Sequence, residues 1–225
     1  IADKLSPKAI TTLNKIGAEI TSNPDLKAEE LSDAIGSANV LIVRSTKVYA
    51  ETIEAGKSLE LIIRAGAGVN NIDLEKASSS GVYVANCPGK NSDAVAELAL
   101  GHIIACDRRI VDASLDLRSG NWKKKAYQNA AGLKGRTLGI IGLGSIGSAL
   151  AKLAKGLDMN VIAWSRNLTP DKADALDLVY CKSIAEVAAN ADAVSVHLAV
   201  TPDTKHLLNT KFFNKMKDGA IFVNT

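Results

Sequence analysis

The chain has 225 residues, enough for one large or two small domains with proper cores. It is 47% hydrophobic and 23% charged, ordinary values for a soluble globular protein. Its 27 basic and 24 acidic residues leave a formal net charge of +3, which gives no reason to expect nucleic acid or an anionic membrane as partner. The one local basic run, Lys123-Lys124-Lys125 after Trp122, reads as a solvated loop. Cys87, Cys106 and Cys181 stand far apart without C-x-x-C spacing, so no disulfide framework is expected and a reducing cytoplasm is. No apolar run reaches the roughly eighteen residues of a membrane span. No secretory signal opens the chain, and no metal site is expected.

Short β-rich runs alternate with helical stretches throughout, the pattern of a parallel α/β architecture. Ile1-Ala2-Asp3 reads as the tail of a strand already under way, so the sequence looks like the interior of a longer chain. Helical stretches follow at 7–15, 28–35, 50–56 and 74–79, with apolar strand runs at 40–43, 61–63 and 82–84. These runs do not alternate polar with apolar, as expected of strands covered on both faces by crossover helices.

Past Cys87-Pro88-Gly89, a candidate hinge, a long apolar helix spans 94–106, with Asn91 or Ser92 as N-cap. It continues as a more charged stretch to about Leu117, then breaks at Arg118-Ser119-Gly120-Asn121. A helix apolar on several faces must bury them against a second domain or another subunit, and we favour a subunit interface. A second alternating series has strand-like runs at 138–141, 161–164, 178–180, 193–196 and 221–223, the spacing of a doubly wound nucleotide-binding sheet. The expected domains are 1–88 and 89–225.

Gly142-Leu143-Gly144-Ser145-Ile146-Gly147 is a G-x-G-x-x-G hexad, a weak signal alone. Here it follows an apolar strand and opens a helix with apolar residues at Ile146, Ala149, Leu150, Leu153, Ala154 and Leu157, a 3.6-residue period. Gly142 permits the tight turn, Gly144 the close approach of a pyrophosphate, and Gly147 the close packing of helix on strand. Unpaired amides at the helix start then face the phosphates. An acidic residue ending the next strand favours NAD by accepting from the ribose hydroxyls. Ser165-Arg166 stands there instead. A hydroxyl beside a guanidinium suits a 2′-phosphate, which slightly favours NADP. The alternative is a surface Arg166 with Ser165 accepting NAD.

Together these residues resemble the D-isomer-specific 2-hydroxy acid dehydrogenases, most closely the D-3-phosphoglycerate dehydrogenase branch. The matching stretches are 43–46, 64–73, 91–92 with 95–98, 135–144, 196–198 and 221–225, in order along the chain. The resemblance implies a flavodoxin-like substrate lobe and a Rossmann nucleotide lobe, both doubly wound, with a cleft between them. It also implies a homodimer or homotetramer joined through the helix after Ser92. Amides of Gly66, Ala67 and Gly68 would hold the substrate carboxylate, since a glycine-rich loop lets amides approach an anion. Arg44, with Ser45 beside it, and Arg64 match positions near the substrate's distal end, the alternative for either arginine being a surface ion pair. Asn91 matches an asparagine facing the substrate. Gly142, Gly144, Ser145, Ile146, Gly147, Ser165, Arg166, His197, Leu198, Ala199, Asn224 and Thr225 match cofactor-facing positions.

In the family an arginine in an N-T-x-R-G pattern, then an acidic residue and a histidine acting as general acid, follow the Asn-Thr pair. Asn224-Thr225 are the last residues here, so no catalytic residue is assigned within the chain and the three are expected beyond Thr225. His197 is expected near the cofactor, His206 on a helix surface, and His102 packed or at an interface. The expected activity is hydride transfer between a nicotinamide and a small 2-hydroxy acid, D-3-phosphoglycerate first. Hydroxypyruvate or glyoxylate reduction with NADPH is the alternative. If the chain truly ended at Thr225, a non-catalytic nucleotide-binding protein would remain.

Overall fold

The computed structural model describes residues 1–225, which divide into two compact units, Ile1–Asn91 and Ser92–Thr225. In the first unit, strands β1 (Val40–Val43), β2 (Leu61–Arg64) and β3 (Tyr83–Asn86) form a parallel sheet in that order. Residues 1–2 are too short to count as a strand, yet they hydrogen-bond on both sides. The Ala2 amide donates to the Ile42 carbonyl (3.0 Å), and the Asn23 amide donates to the Ile1 carbonyl (2.9 Å). Across the sheet the order is therefore 21–23, 1–2, β1, β2, β3, and the chain reverses direction of winding at 1–2. That is the flavodoxin-like order, with its switch point beside β1.

Helix α1 (Pro7–Lys15) starts at Ser6, whose hydroxyl accepts the Ala9 amide, and buries no residue. The stretch 28–35, expected as one helix, is a 3₁₀ turn (Ala28–Glu30) followed by the single turn α2 (Leu31–Ala34). Glu30 accepts the Lys27 amide and fixes this tight start. Helices α3 (Ala50–Ala55) and α4 (Leu74–Ser79) complete the layer. Leu31, Ile35, Ile53 and Ala77 from this layer enclose Leu41, Val43 and Ile62 of the sheet.

The second unit contains β4 (Thr137–Ile141), β5 (Asn160–Trp164), β6 (Val179–Tyr180), β7 (Ala193–Val196) and β8 (Ile221–Asn224). All pair in parallel, in the order β6-β5-β4-β7-β8, the reversal at β4 that defines a doubly wound sheet. Strand side chains alternate between two separate apolar layers. Leu138, Ile140, Val161 and Ala163 face one, while Ile141, Ile162, Val194 and Val196 face the other. Covering on both faces is why these strands read as continuous apolar runs.

The first layer is closed by α5 (Ser92–Arg108) and α7 (Ser145–Lys155), through Ala96, Ala99 and Ile103 against Leu150, Ala151 and Ala154. Alanines at these positions let two helix backbones approach closely. The second layer is closed by α9 (Ile184–Asn190) and α10 (Thr210–Phe213) through Val187, Ala188 and Phe212. Gly139 faces α9, and a Cβ there would meet Val187 Cγ1 at 2.5 Å and Ala191 Cβ at 2.9 Å.

Two further expectations are corrected. The helix expected to continue from 94 to about Leu117 breaks at Arg109, whose φ of +51° is left-handed, and α6 (Ile110–Arg118) starts in a new direction. The bend is held by Arg109 itself: its guanidinium sits 4.9 Å from the Tyr127 ring centroid and pairs with Asp112 at 3.1 Å. His206 lies in a turn with φ +59°, not on a helix, because Thr201 and Thr204 close that turn with their hydroxyls.

Candidate functional site

In both units the residues singled out from sequence gather at the carboxyl edge of the sheet. In the second unit the register pairs Ile141 with Trp164 and Val196, and Val196 with Asn224. Their successors, Gly142, Ser165, His197 and Thr225, therefore emerge along one edge.

Gly142 has φ +98°, and its amide donates to the Trp164 carbonyl at 2.8 Å. A Cβ on Gly142 would lie 2.5 Å from the His197 carbonyl oxygen, and one on Gly147 would lie 2.2 Å from the Gly142 carbonyl oxygen. Both positions are closed to any side chain. Gly144 differs: a Cβ there would meet nothing within 4 Å, and its backbone is extended (φ −88°). A glycine with neither strain nor crowding leaves open space above the backbone. Gly144 is the N-cap of α7, and no side chain accepts the first-turn amides there. Ser145 is exposed and Ile146 half-buried. Bare amides at the start of an eleven-residue helix, reached over an open glycine, fit a pyrophosphate.

Beside this turn lies a cavity of about 620 Å³, lined by Leu143, Gly144, Ser165, Asn167, Leu168 and Lys172 among others. No carboxylate lines it, and Arg166, which is exposed, does not either. Lys172 was not legible from the sequence pattern. Its place depends on Thr169, which caps α8 (Pro170–Ala175) by accepting the Lys172 amide at 3.3 Å.

His197 and Leu198 are half-buried and Ala199, Asn224 and Thr225 exposed. His197 Nε2 lies 2.9 Å from the Oγ of fully buried Ser195, and Nδ1 is buried without a partner. Burial pushes the imidazole pKa down, which keeps the ring neutral at physiological pH. His102 is exposed on α5.

In the first unit the loops after β1 and β2 are braced together. The Arg64 guanidinium donates from Nε to the Arg44 carbonyl (2.9 Å) and from NH1 to the Gly68 carbonyl (3.3 Å). It makes neither an ion pair nor a surface contact of the kind its alternative reading required. Gly66 leaves room for this guanidinium: a Cβ there would meet Arg64 NH1 at 2.5 Å and the arginine would have to shift. The carbonyls of Gly66, Ala67 and Gly68 are all taken from within the unit, by the Cys87 amide (2.9 Å), Asn86 Nδ2 (2.5 Å) and Arg64. The Gly66 amide is also committed, to the Arg64 carbonyl at 2.7 Å. The amides of Ala67 and Gly68 remain to meet an anion. Arg44, Ser45 and Asn91 are exposed.

Asp3, which sequence reasoning left without a role, organises the Arg44 loop. One carboxylate oxygen accepts the amides of Arg44 (2.7 Å), Ser45 (3.1 Å) and Thr46 (3.0 Å). Asn71 Nδ2 holds the Thr46 carbonyl at 2.7 Å. The Asp3–Arg44 contact spans 41 positions, so only the fold brings the partners together.

A parallel sheet that reverses at its central strand, with an open glycine turn feeding a helix at that reversal, defines the Rossmann class of nucleotide-binding domains. Residues 100–225 match the family model described as D-isomer specific 2-hydroxyacid dehydrogenase, NAD binding domain. The chain is 42% identical to a hydroxypyruvate reductase of Thermotoga maritima, over all of this chain and 72% of that protein. It is 38% identical to a D-3-phosphoglycerate dehydrogenase of Methanocaldococcus jannaschii, over all of this chain and 43% of that protein. An NAD+-bound 3-phosphoglycerate dehydrogenase of Entamoeba histolytica superposes with a TM-score of 0.81 at 28% identity, over all of this chain and 69% of that one. The chain belongs to the D-isomer specific 2-hydroxyacid dehydrogenase family.

Burial works to raise the Asp3 pKa, but the three amide hydrogen bonds outweigh it and hold the carboxyl below its ordinary value. A carboxylate depressed in the folded state adds stability above its unfolded pKa, about 3.9, and that stability is lost as pH falls through the lower folded value. Asp3→Asn is therefore expected to lower stability by roughly 1–3 kcal/mol at pH 7. Urea melts from pH 7 to pH 3 should show the gap from wild type narrowing below about pH 4. A gap that stays constant over this range contradicts the carboxylate's role.

Proposed function

We propose that the protein transfers hydride between a nicotinamide dinucleotide and a small 2-hydroxy or 2-oxo acid. Residues 1–88 form the substrate-binding lobe and residues 89–225 the dinucleotide-binding lobe. The reading is carried by the open glycine turn, with uncommitted α7 amides at the reversal of the second sheet. The bound nicotinamide supplies the hydride or accepts it. Gly142, Gly144, Ser145, Ile146 and Gly147 would seat the pyrophosphate, Ser165 the adenosine ribose, and 197–199 with 224–225 the path toward the nicotinamide. The amides of Ala67 and Gly68 would orient the substrate carboxylate, with Asn91 beside it. Arg44, whose guanidinium has no partner of its own, would read the distal group. Arg64 keeps the two loops in register. The proton that the carbonyl oxygen needs is assigned to none of His102, His197 and His206.

D-3-phosphoglycerate is the leading substrate, because a free guanidinium at the Arg44 loop suits a distal phosphate. The second reading is hydroxypyruvate or glyoxylate reduction with NADPH. It is favoured by the absence of any carboxylate around the cavity at Ser165. We place the protein in the cytoplasm, in keeping with three unpaired cysteines and no helix long and apolar enough to cross a membrane. Its partner is a second copy, in a homodimer or a pair of them. Helix α6 buries no residue, and Leu98, Ile110, Val111, Leu115 and Trp122 are between 46% and 78% exposed, apolar surface that a second copy would cover.

Two measurements test this. Full-length protein assayed with NADH and NADPH should reduce phosphohydroxypyruvate, hydroxypyruvate or glyoxylate. Arg44→Gln should raise KM for the phosphorylated acid roughly tenfold while kcat and the KM for glyoxylate stay close to wild type. No turnover of any of the three acids refutes the activity. Sedimentation of the double variant Val111→Glu, Leu115→Glu should give a monomer where wild type gives a dimer or larger. A monomeric wild type at micromolar concentration refutes the interface.

A further inference from the structure

We propose that Lys172, not Arg166, is the cation that selects the cofactor, and that the cavity beside the glycine turn accepts a ribose 2′-phosphate monoester. This rests on the glycine turn being the cofactor site. The sequence drew attention to Arg166, two residues past the end of β5, but that side chain does not line the cavity. Lys172 does, and it is the single charged side chain that does.

Local structure explains how a residue seven positions further on reaches the same place. The Leu168 amide donates to the Ser165 carbonyl at 3.1 Å, closing a tight turn over 165–168. Thr169 then caps α8, and Pro170 occupies the first helical position, where its fixed φ suits the helix start. The Lys172 amide is pinned to the Thr169 hydroxyl, which fixes the start of the helix, and the side chain, though exposed, borders the cavity. Its Nζ donates to the Asn167 carbonyl at 3.4 Å, a long bond to a neutral acceptor. No carboxylate lies within ion-pairing distance of this ammonium. Asp171 and Asp174, on the same helix, do not line the cavity.

An ammonium kept at the wall of a cavity without a counter-ion is a site for an anion. The flanking groups are the Ser165 hydroxyl and the Asn167 backbone and side chain, all neutral. A phosphate dianion gains both a charge-assisted hydrogen bond from Lys172 and neutral donors beside it. A ribose with a free 2′-hydroxyl gains far less from the same ammonium. Lysine acts here as a compact point charge, for which phosphate needs no planar fork.

The test titrates full-length protein with NADH and with NADPH, following nicotinamide fluorescence, for wild type, Lys172→Met, Lys172→Arg and Arg166→Ala. Methionine keeps the length of the stem and removes the charge. Lys172→Met is expected to weaken NADPH binding roughly tenfold and leave NADH binding within about twofold of wild type, with Lys172→Arg in between. Arg166→Ala should shift the NADPH to NADH ratio less than Lys172→Met does. A ratio that Lys172→Met leaves unmoved, or that Arg166→Ala moves more, overturns the assignment while leaving the cofactor site intact. Wild-type protein that binds neither nucleotide overturns both.

Discussion

Helix α7 rests on the end of β4 with a single carbonyl oxygen between them. The Gly142 carbonyl lies where a Cβ of residue 147 would be, and Gly142 in turn lies against the His197 carbonyl after β7. Three backbone segments thus meet with no side chain separating them, which two glycines allow and no other residues would. The close approach lifts the start of α7 directly over the carboxyl edge of the sheet. From that placement follow the bare first-turn amides, the cavity beside Gly144 and the meeting of four strand ends at one edge. Gly144, by contrast, answers to no packing constraint, and the space over its backbone is open to a ligand.

The first unit reaches the same end by different means. Its anion-facing amides lie in a loop whose three carbonyls are tied down by Cys87, Asn86 and Arg64. Once the carbonyls are occupied, the remaining amides of Ala67 and Gly68 carry the loop's uncommitted polarity. Asp3 performs the same task on the neighbouring loop by gathering three amides on one oxygen. Arg64, which resembles a substrate ligand by position, also spans both loops and braces them in the fold. A buried or half-buried guanidinium that meets only carbonyls still carries its charge, and its field adds to that of the neighbouring amides.

What the sequence disclosed, and what it hid, divides along the range of the interactions. Strands such as 138–141 and the glycine hexad are local patterns, fixed by two-sided burial and by glycine stereochemistry, and they stand where expected. The break at Arg109 was hidden because nothing in the helical periodicity marks it; one of the contacts that hold it, Tyr127, lies in a 3₁₀ turn beyond the next helix. The Asp3 contacts were hidden by 41 intervening positions. Lys172 was hidden because its reach depends on a cap and a turn together. His206 was misplaced because threonine hydroxyls compete with the helical hydrogen bonds that its neighbours would otherwise make.

The central claim is that the space over Gly144 is where a dinucleotide pyrophosphate meets the α7 amides. Gly144→Ala tests it with least disturbance, since the added methyl would touch nothing in the free protein and the backbone there suits alanine. Thermal melting and nicotinamide fluorescence titration on the same full-length variant separate folding from binding. The account predicts a melting temperature within a few degrees of wild type and cofactor binding weakened by roughly tenfold or more. Unchanged affinity in a normally folded Gly144→Ala protein would contradict it.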